Sequence, residues 1–194
     1  MEVGGRMPGW EELEHECTNC KKCSLGNSRN NIVIERGNRA APLMLIGEGP
    51  GEQEDKQGKP FVGPAGQLLD LLLSGLMFKD KEYYICNIVK CRPPGNRVPT
   101  DEEAEKCLPY LRKQVSLIKP KIIVCLGATA MKYIVDRDAR ITRIRGQWIE
   151  KKGYWIMPTF HPAALLRDES KKILMFDDFK KVKTKFDEIC VNQA

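Results

Sequence analysis

Four short apolar runs, each of strand length, punctuate the chain: LMLI at 43–46, YYICNIV at 83–89, KIIVCLG at 121–127 and GYWIMPTF at 153–160. Their near-continuous hydrophobicity, rich in β-branched and aromatic residues, predicts strands buried on both faces. The segments between them carry a helical period. QLLDLLLSGL at 67–76 reads as a leucine-rich helix. Ala104, Cys107, Leu108, Leu111, Val115 and Ile118 recur at helical spacing behind a Thr100–Glu103 capping box. GATAMKYIV opens another helix at 127, and 168–189 places Ile173, Phe176, Phe179, Val182, Phe186 and Ile189 on one helical face. Strands alternating with helices predict an α/β fold, a parallel sheet covered on both sides. Ahead of it, residues 8–23, PGWEELEHECTNCKKC, read as a short helix running into cysteines, and IVI at 32–34 reads as an edge segment. There is no internal repeat, low-complexity tract or linker, so 1–194 is expected to form a single domain.

Between the first strand and its helix the pattern breaks. GEGPGEQEDKQGKPFVGPAG, 47–66, holds six glycines, three prolines and four acids, and predicts a shaped loop where backbone amides face a ligand at the carboxyl end of a strand. The glycines suggest phosphate, but neither nucleotide signature fits. Six residues separate Gly51 from Gly58 and Lys59 precedes Pro60, which is not a Walker loop; Glu52 stands where a dinucleotide fingerprint needs its last glycine. Glu48, Glu52, Glu54 and Asp55 would repel a phosphate. The loop reads as a binder of something neutral, with carboxylates available for water or a developing cation.

Composition narrows the class. With 194 residues, 42% hydrophobic and 30% charged, one well-buried domain is expected. A net charge of +6 and a pI near 8.9 suit a nucleic-acid partner as well as an ordinary soluble protein. No apolar run approaches the roughly 20 residues of a membrane span, and no charged-then-apolar opening marks a signal peptide, so a cytoplasmic protein with no membrane partner is expected. Eight cysteines in a reducing compartment point to ligation over disulfides. Cys17, Cys20 and Cys23 are spaced to converge on one centre, but Asn27 stands where a ferredoxin-like run places its fourth cysteine. Fifteen residues separate Cys91 from Cys107, bracketing an irregular basic loop that a clip to the N-terminal pair would tie down. Four thiolates suit zinc as well as a cluster, and spacing does not choose. Cys86, Cys125 and Cys190 follow buried patterns and read as core residues.

The unusual segments, GEGPG, Asn87, GATA and His161-Pro162, follow the ends of four separate strands, which in a parallel sheet share one edge. Asn87 donates and accepts at once, which suits the edge of a base; Phe61 can stack on a planar ring; His161 can donate to a developing oxyanion.

GEGPGEQEDKQGKPFVGPAG, NIVKCRPPGNR with a cysteine fifteen residues on, and HPAALLR resemble the family 4 uracil-DNA glycosylases, iron–sulfur members of their superfamily, over about Cys20 to about Arg167. The resemblance implies a three-layer α/β/α sandwich around a four-stranded parallel sheet, and removal of uracil from single- or double-stranded DNA by a monomer that flips the base. It implies a uracil pocket of Glu48, Gly49, Pro50, Phe61, Asn87 and His161. Phe61 would stack, Asn87 would read N3 and O4, and neutral His161 would bond O2. Glu48 or Glu54 would position water and stabilise an oxocarbenium-like sugar. Better-known uracil glycosylases carry an aspartate and a tyrosine where Gly49 and Gly51 stand, and Glu54 filling that space would exclude thymine. Leu165 or Leu166 would enter DNA, equally readable as the first turn of the last helix. Arg167, Lys90, Arg92, Arg97, Arg143 and Arg145 would meet phosphates. The family's Cys-x-x-Cys-x-Leu then Arg fits Cys20, Cys23, Leu25 and Arg29, which implies a structural [4Fe-4S] cluster on Cys20, Cys23, Cys91 and Cys107, with Cys17 spare and 9–25 packed on 91–107. A related branch captures uracil-DNA covalently through a histidine in an inserted loop, whereas Asn87 here runs directly into Ile88-Val89-Lys90-Cys91. A zinc deaminase needs His-x-Glu before Pro-Cys-x-x-Cys, which the chain lacks. Glu52, Asp55 and the acids at 101–105 read as solvated or helix-start charges.

Overall fold

A computed structural model describes residues 9–191; Pro8 of the expected N-terminal helix, and the opening residues on which the signal-peptide reading rests, lie outside the described residues. In chain order the first elements are α1 (Trp10–Thr18), α2 (Leu25–Ser28), β1 (Arg36–Gly37), β2 (Leu43–Gly47), α3 (Glu52–Gln57), α4 (Pro64–Gly75) and β3 (Tyr83–Asn87). There follow α5 (Asp101–Ile118), β4 (Ile122–Leu126), α6 (Ala128–Ile134), α7 (Ile141–Ile144), β5 (Ile149–Lys151), β6 (Tyr154–Thr159), α8 (Pro162–Leu165) and α9 (Lys171–Phe186).

The sheet order is β1-β3-β2-β4-β6-β5. The four expected strands form its parallel centre, β3-β2-β4-β6, with Leu45 level with both Ile85 and Val124. Two antiparallel edge strands flank it, so the sheet has six strands where four were expected. The edge segment expected at 32–34 carries no strand and the edge pairing falls just after it, at β1; β1 is two residues and β5 three, largely polar, and such edges need no buried face to mark them in the pattern. The fourth apolar run begins one residue late, because Lys152 and Gly153, both at positive φ, form the hairpin turn from β5 into β6.

Alternate residues of the central strands serve two cores. Met44, Ile46, Tyr84, Cys86, Ile123 and Cys125 pack with α1, α5 and α6; Leu43, Leu45, Ile85, Ile122, Val124 and Leu126 pack with α4, α8 and α9. The result is the expected three layers. In α9 the inward row is Met175, Phe179, Val182 and Phe186; Ile173, 70% exposed, and Phe176 fall off it, contrary to the sequence pattern, because Met175 and the ion-paired Asp178 take the inward turn. Among the described residues no helix is long and apolar enough to cross a membrane.

Candidate functional site

The carboxyl ends of β2, β3, β4 and β6 open into one cleft of about 680 Å³, lined by Glu48, Gly49, Pro50, Glu54, Phe61, Asn87, His161 and Arg167 among others. Every residue of the expected base pocket is therefore in one place. A cavity of about 910 Å³ lies elsewhere, between α5, the start of β4 and the β5–β6 hairpin, and contains none of these motif residues.

The glycine-rich stretch is not wholly loop, as α3 interrupts it. Its amphipathic period is hidden because EQEDKQ is polar throughout. Glu54 of α3 folds the stretch onto itself: one carboxylate oxygen accepts from Gly51 N at 3.1 Å, the other from Val62 N at 3.0 Å and Gly63 N at 2.8 Å. Asp55, expected on the surface, is buried and accepts from the backbone N–H groups of Asn30 and Asn31 and the Asn30 side chain. So anchored, the loop carries Phe61 in a left-handed conformation, φ 55°, with its ring stacked on His161 at 5.6 Å between centroids and 28° between planes. A β-carbon on Gly47 would sit 2.5 Å from Asn87 Oδ1 and 2.6 Å from Phe61 Cζ. Glycine there lets the two approach.

His161 caps α8, accepting from Ala163 N at Nδ1 over 3.1 Å. Accepting there leaves the proton of a neutral ring on Nε2. Burial pushes its pKa down to about 4, against the opposing pull of Glu54 and with Arg167 helping. Asn87 is buried, and among the described residues its Oδ1 has no hydrogen-bond partner. An amide oxygen left so is costly unless a ligand answers it. Glu48 accepts a hydrogen bond from the Thr129 hydroxyl at the start of α6. Thr129 was not singled out by sequence; its signal was its place in GATA, after a strand end.

The cationic and apolar candidates separate. Arg167 lines the cleft; Arg97 does too, while paired with Glu103. Arg143 is exposed, and Arg92 is half-buried between Asn96 and Glu52. Lys90 cannot meet phosphate: it is 1% exposed, with its ammonium bonded inward to Asn87 O and Gln114 Oε1. Arg145 is likewise withdrawn, held by the buried carboxylate of Asp178. Leu165 is 4% exposed and packs in the core, which leaves Leu166, 54% exposed, as the apolar side chain free to enter DNA.

All eight cysteines are free thiols. Cys20, Cys23, Cys91 and Cys107 pack in one core with Cys17, and their sulfurs attract donors: Arg29 Nη1 to Cys91 Sγ at 3.1 Å, Lys90 N to Cys107 Sγ at 3.3 Å. Burial pushes the thiols of Cys91 and Cys107 up, the latter to about 11, so a bound cation is what would keep them ionised. Among the described residues no three His, Cys, Asp or Glu groups are gathered tightly enough for a single metal ion. A set of four thiols with N–H donors and a guanidinium alongside fits an anionic cluster. Cys86 and Cys125 are core residues, and Cys190 is half-buried.

A family model described as the uracil DNA glycosylase superfamily matches residues 34–187. The chain is 43% identical over 178 residues to a type-4 uracil-DNA glycosylase of Thermotoga maritima, covering 90% of this chain and 93% of that one. It is 41% identical over 186 residues to the type-4 enzyme of Sulfurisphaera tokodaii, covering 91% and 84%. To a type-5 uracil-DNA glycosylase of Pyrobaculum aerophilum the identity is 29% over 191 residues, covering 81% and 84%.

Proposed function

The chain belongs to the uracil-DNA glycosylase superfamily, and from that premise we propose that it is a monofunctional glycosylase of the type-4 kind, which hydrolyses the bond between uracil and deoxyribose in DNA. The observation that carries this reading is the buried, unpartnered Oδ1 of Asn87 beside the stacked rings of Phe61 and His161. It is a slot for a flat, neutral ring with one edge to be read.

A uracil flipped into the cleft lies against Phe61. Asn87 accepts from N3–H with the Oδ1 that has no other partner and donates to O4 with its Nδ2. Cytosine offers an acceptor at N3 and a donor at the exocyclic amine, and so mismatches both. His161, neutral with its proton on Nε2, donates to O2 as the C1′–N1 bond breaks and its electron pair passes to the base. Glu48, on the cleft wall, stabilises the cationic sugar and takes the proton of the water whose oxygen bonds C1′. Glu54 has both oxygens engaged by backbone amides, so it shapes the loop and leaves the water to Glu48. Its position beside Gly51 and Gly63 supports a part in excluding the thymine methyl. Among the described residues no lysine lines the cleft, which supports hydrolysis without strand cleavage.

Arg167, Arg92, Arg97 and Arg143 are the cations available to phosphate, and Leu166 the wedge that fills the gap left by the flipped base. Cys20, Cys23, Cys91 and Cys107 would hold a [4Fe-4S] cluster, which supplies a structural clamp between the N-terminal segment and the 91–107 loop. The protein acts as a cytoplasmic monomer on single- or double-stranded DNA. The test is release of free uracil from uracil-containing oligonucleotides with the strand left intact. Intact substrate, or a protein–DNA band that survives denaturation, would overturn the reading.

A further inference from the structure

Lys90 stands out as a buried charge that the chemistry above does not use. It is 1% exposed, and among the described residues no carboxylate pairs with it. Its Nζ donates to two neutral oxygens, the backbone carbonyl of Asn87 at 2.7 Å and Gln114 Oε1 at 2.6 Å. Gln114, also fully buried, donates in turn to Tyr84 OH at 2.7 Å and Ile34 O at 3.1 Å. The backbone of Lys90 is engaged on both sides as well: its N–H reaches Cys107 Sγ and its carbonyl accepts from Val33 N at 2.9 Å.

These contacts bear on Asn87 through the main chain that carries its reading end. Among the described residues the side-chain oxygen has no hydrogen-bond partner, so the amide's place depends on the backbone that carries it. On one side that backbone is paired to β2, Gly47 opposite Asn87, with Ile88 N on Gly47 O and Val89 N on Glu48 O. On the other, the Asn87 carbonyl points inward to the ammonium. A buried charge is retained where its donors meet acceptors that would otherwise be orphaned, and here one of those acceptors is the main-chain carbonyl of the base-reading residue itself.

We propose that Lys90 is a positioning residue for uracil recognition, fixing the main chain of Asn87 and linking it, through Gln114 and the Cys107 contact, to the cysteine-bearing loop and α5. The inference rests on the glycosylase reading for its substrate. Wild type, Lys90→Met and Gln114→Leu are compared in single-turnover uracil release from a U:G duplex, inhibition by free uracil, binding to an abasic-site duplex, and visible absorbance per chain.

In Lys90→Met, release is expected to fall about 10- to 100-fold and the inhibition constant for free uracil to rise by a comparable factor. Abasic-duplex binding and visible absorbance stay at wild-type values. Gln114→Leu, which keeps the ammonium on Asn87, shifts both in the same direction by less. Lys90→Arg, which restores a cation and donors, recovers part of the loss. Wild-type release and uracil inhibition in Lys90→Met would overturn the proposal, as would losses that merely track lost absorbance, since that would make Lys90 a support of the cysteines alone. Should Lys90→Met fail to fold, Gln114→Leu carries the test, and unchanged uracil inhibition there overturns it. If wild type itself releases no uracil, the glycosylase reading falls; normal wild-type release with an unaltered Lys90→Met defeats the Lys90 inference by itself.

Discussion

A buried imidazole whose Nδ1 already accepts a backbone hydrogen bond has one proton to offer, from Nε2, and only while it stays neutral. With its pKa lowered from 6.5 to about 4, chiefly by burial, His161 keeps that form through the neutral range. Uracil release should hold its plateau as pH falls through 6.5 and decline only on approach to 4; a decline centred near 6.5 in single-turnover rates would contradict the assignment. The stability effect has the same sign. Below 6.5 the unfolded chain takes up the proton first, so His161 destabilises the fold increasingly down to about 4 and has no effect above 6.5. The two loop glutamates divide along similar lines. Glu48→Gln keeps a partner for Thr129 but loses the charge, and is expected to slow release about 100-fold with an unchanged melting temperature. Glu54→Gln turns an amide against backbone N–H groups and should cost about 1–3 kcal/mol of stability, seen as a lowered melting temperature. The reverse pattern would return the water to Glu54.

Among the elements, α5 shows how one carboxylate can join three segments. Glu103 closes the capping box with Thr100, forms a two-bonded pair with Arg97 of the preceding loop, and accepts from Ser24, next to Cys23. The Arg97 hydrogen bonds, ahead of the Thr100 amide, hold its carboxyl down to about 2. This stabilisation is complete above the ordinary value of 4.5 and lost as pH falls toward 2. Glu103→Gln should therefore cost about 1–2 kcal/mol at neutral pH and flatten the acid limb of the melting-temperature profile; an unchanged limb would place acid sensitivity elsewhere. The box itself was legible, since Thr-x-x-Glu is a local signal. So were β2, β3, β4 and β6, because burial on both faces leaves an unbroken apolar run. β1, β5 and α3 were not, being short and polar. Lys90, Arg145 and Asp55 were misread for a related reason: a charge looks the same in sequence whether water or a partner tens of residues away satisfies it, as Gln114, Asp178 and Asn30 do here. The gathering of the cleft residues was readable because they follow strand ends, and parallel order alone brings those to one edge.

At the scale of the whole molecule, the proposed reading gives the two faces of the sheet separate parts in meeting DNA. The α1–α5 side carries Cys20, Cys23, Cys91 and Cys107 and the loop with Arg92 and Arg97; the α4–α9 side carries α8, followed by the exposed Leu166 and by Arg167, which lines the cleft. On that reading a duplex would have to lose a base from its stack to fill that cleft, and an apolar wedge offsets an unstacking cost of about a few kcal/mol. A single strand has little stacking to break. Leu166→Ala should therefore slow uracil release from a duplex by about 10-fold or more while leaving single-stranded substrate nearly untouched, and Leu165→Ala should instead lower the melting temperature, because Leu165 is core. The ratio of duplex to single-strand rates is the measurement. If Leu166→Ala slowed both equally, the side chain would be supporting the His161 helix and not the opened duplex.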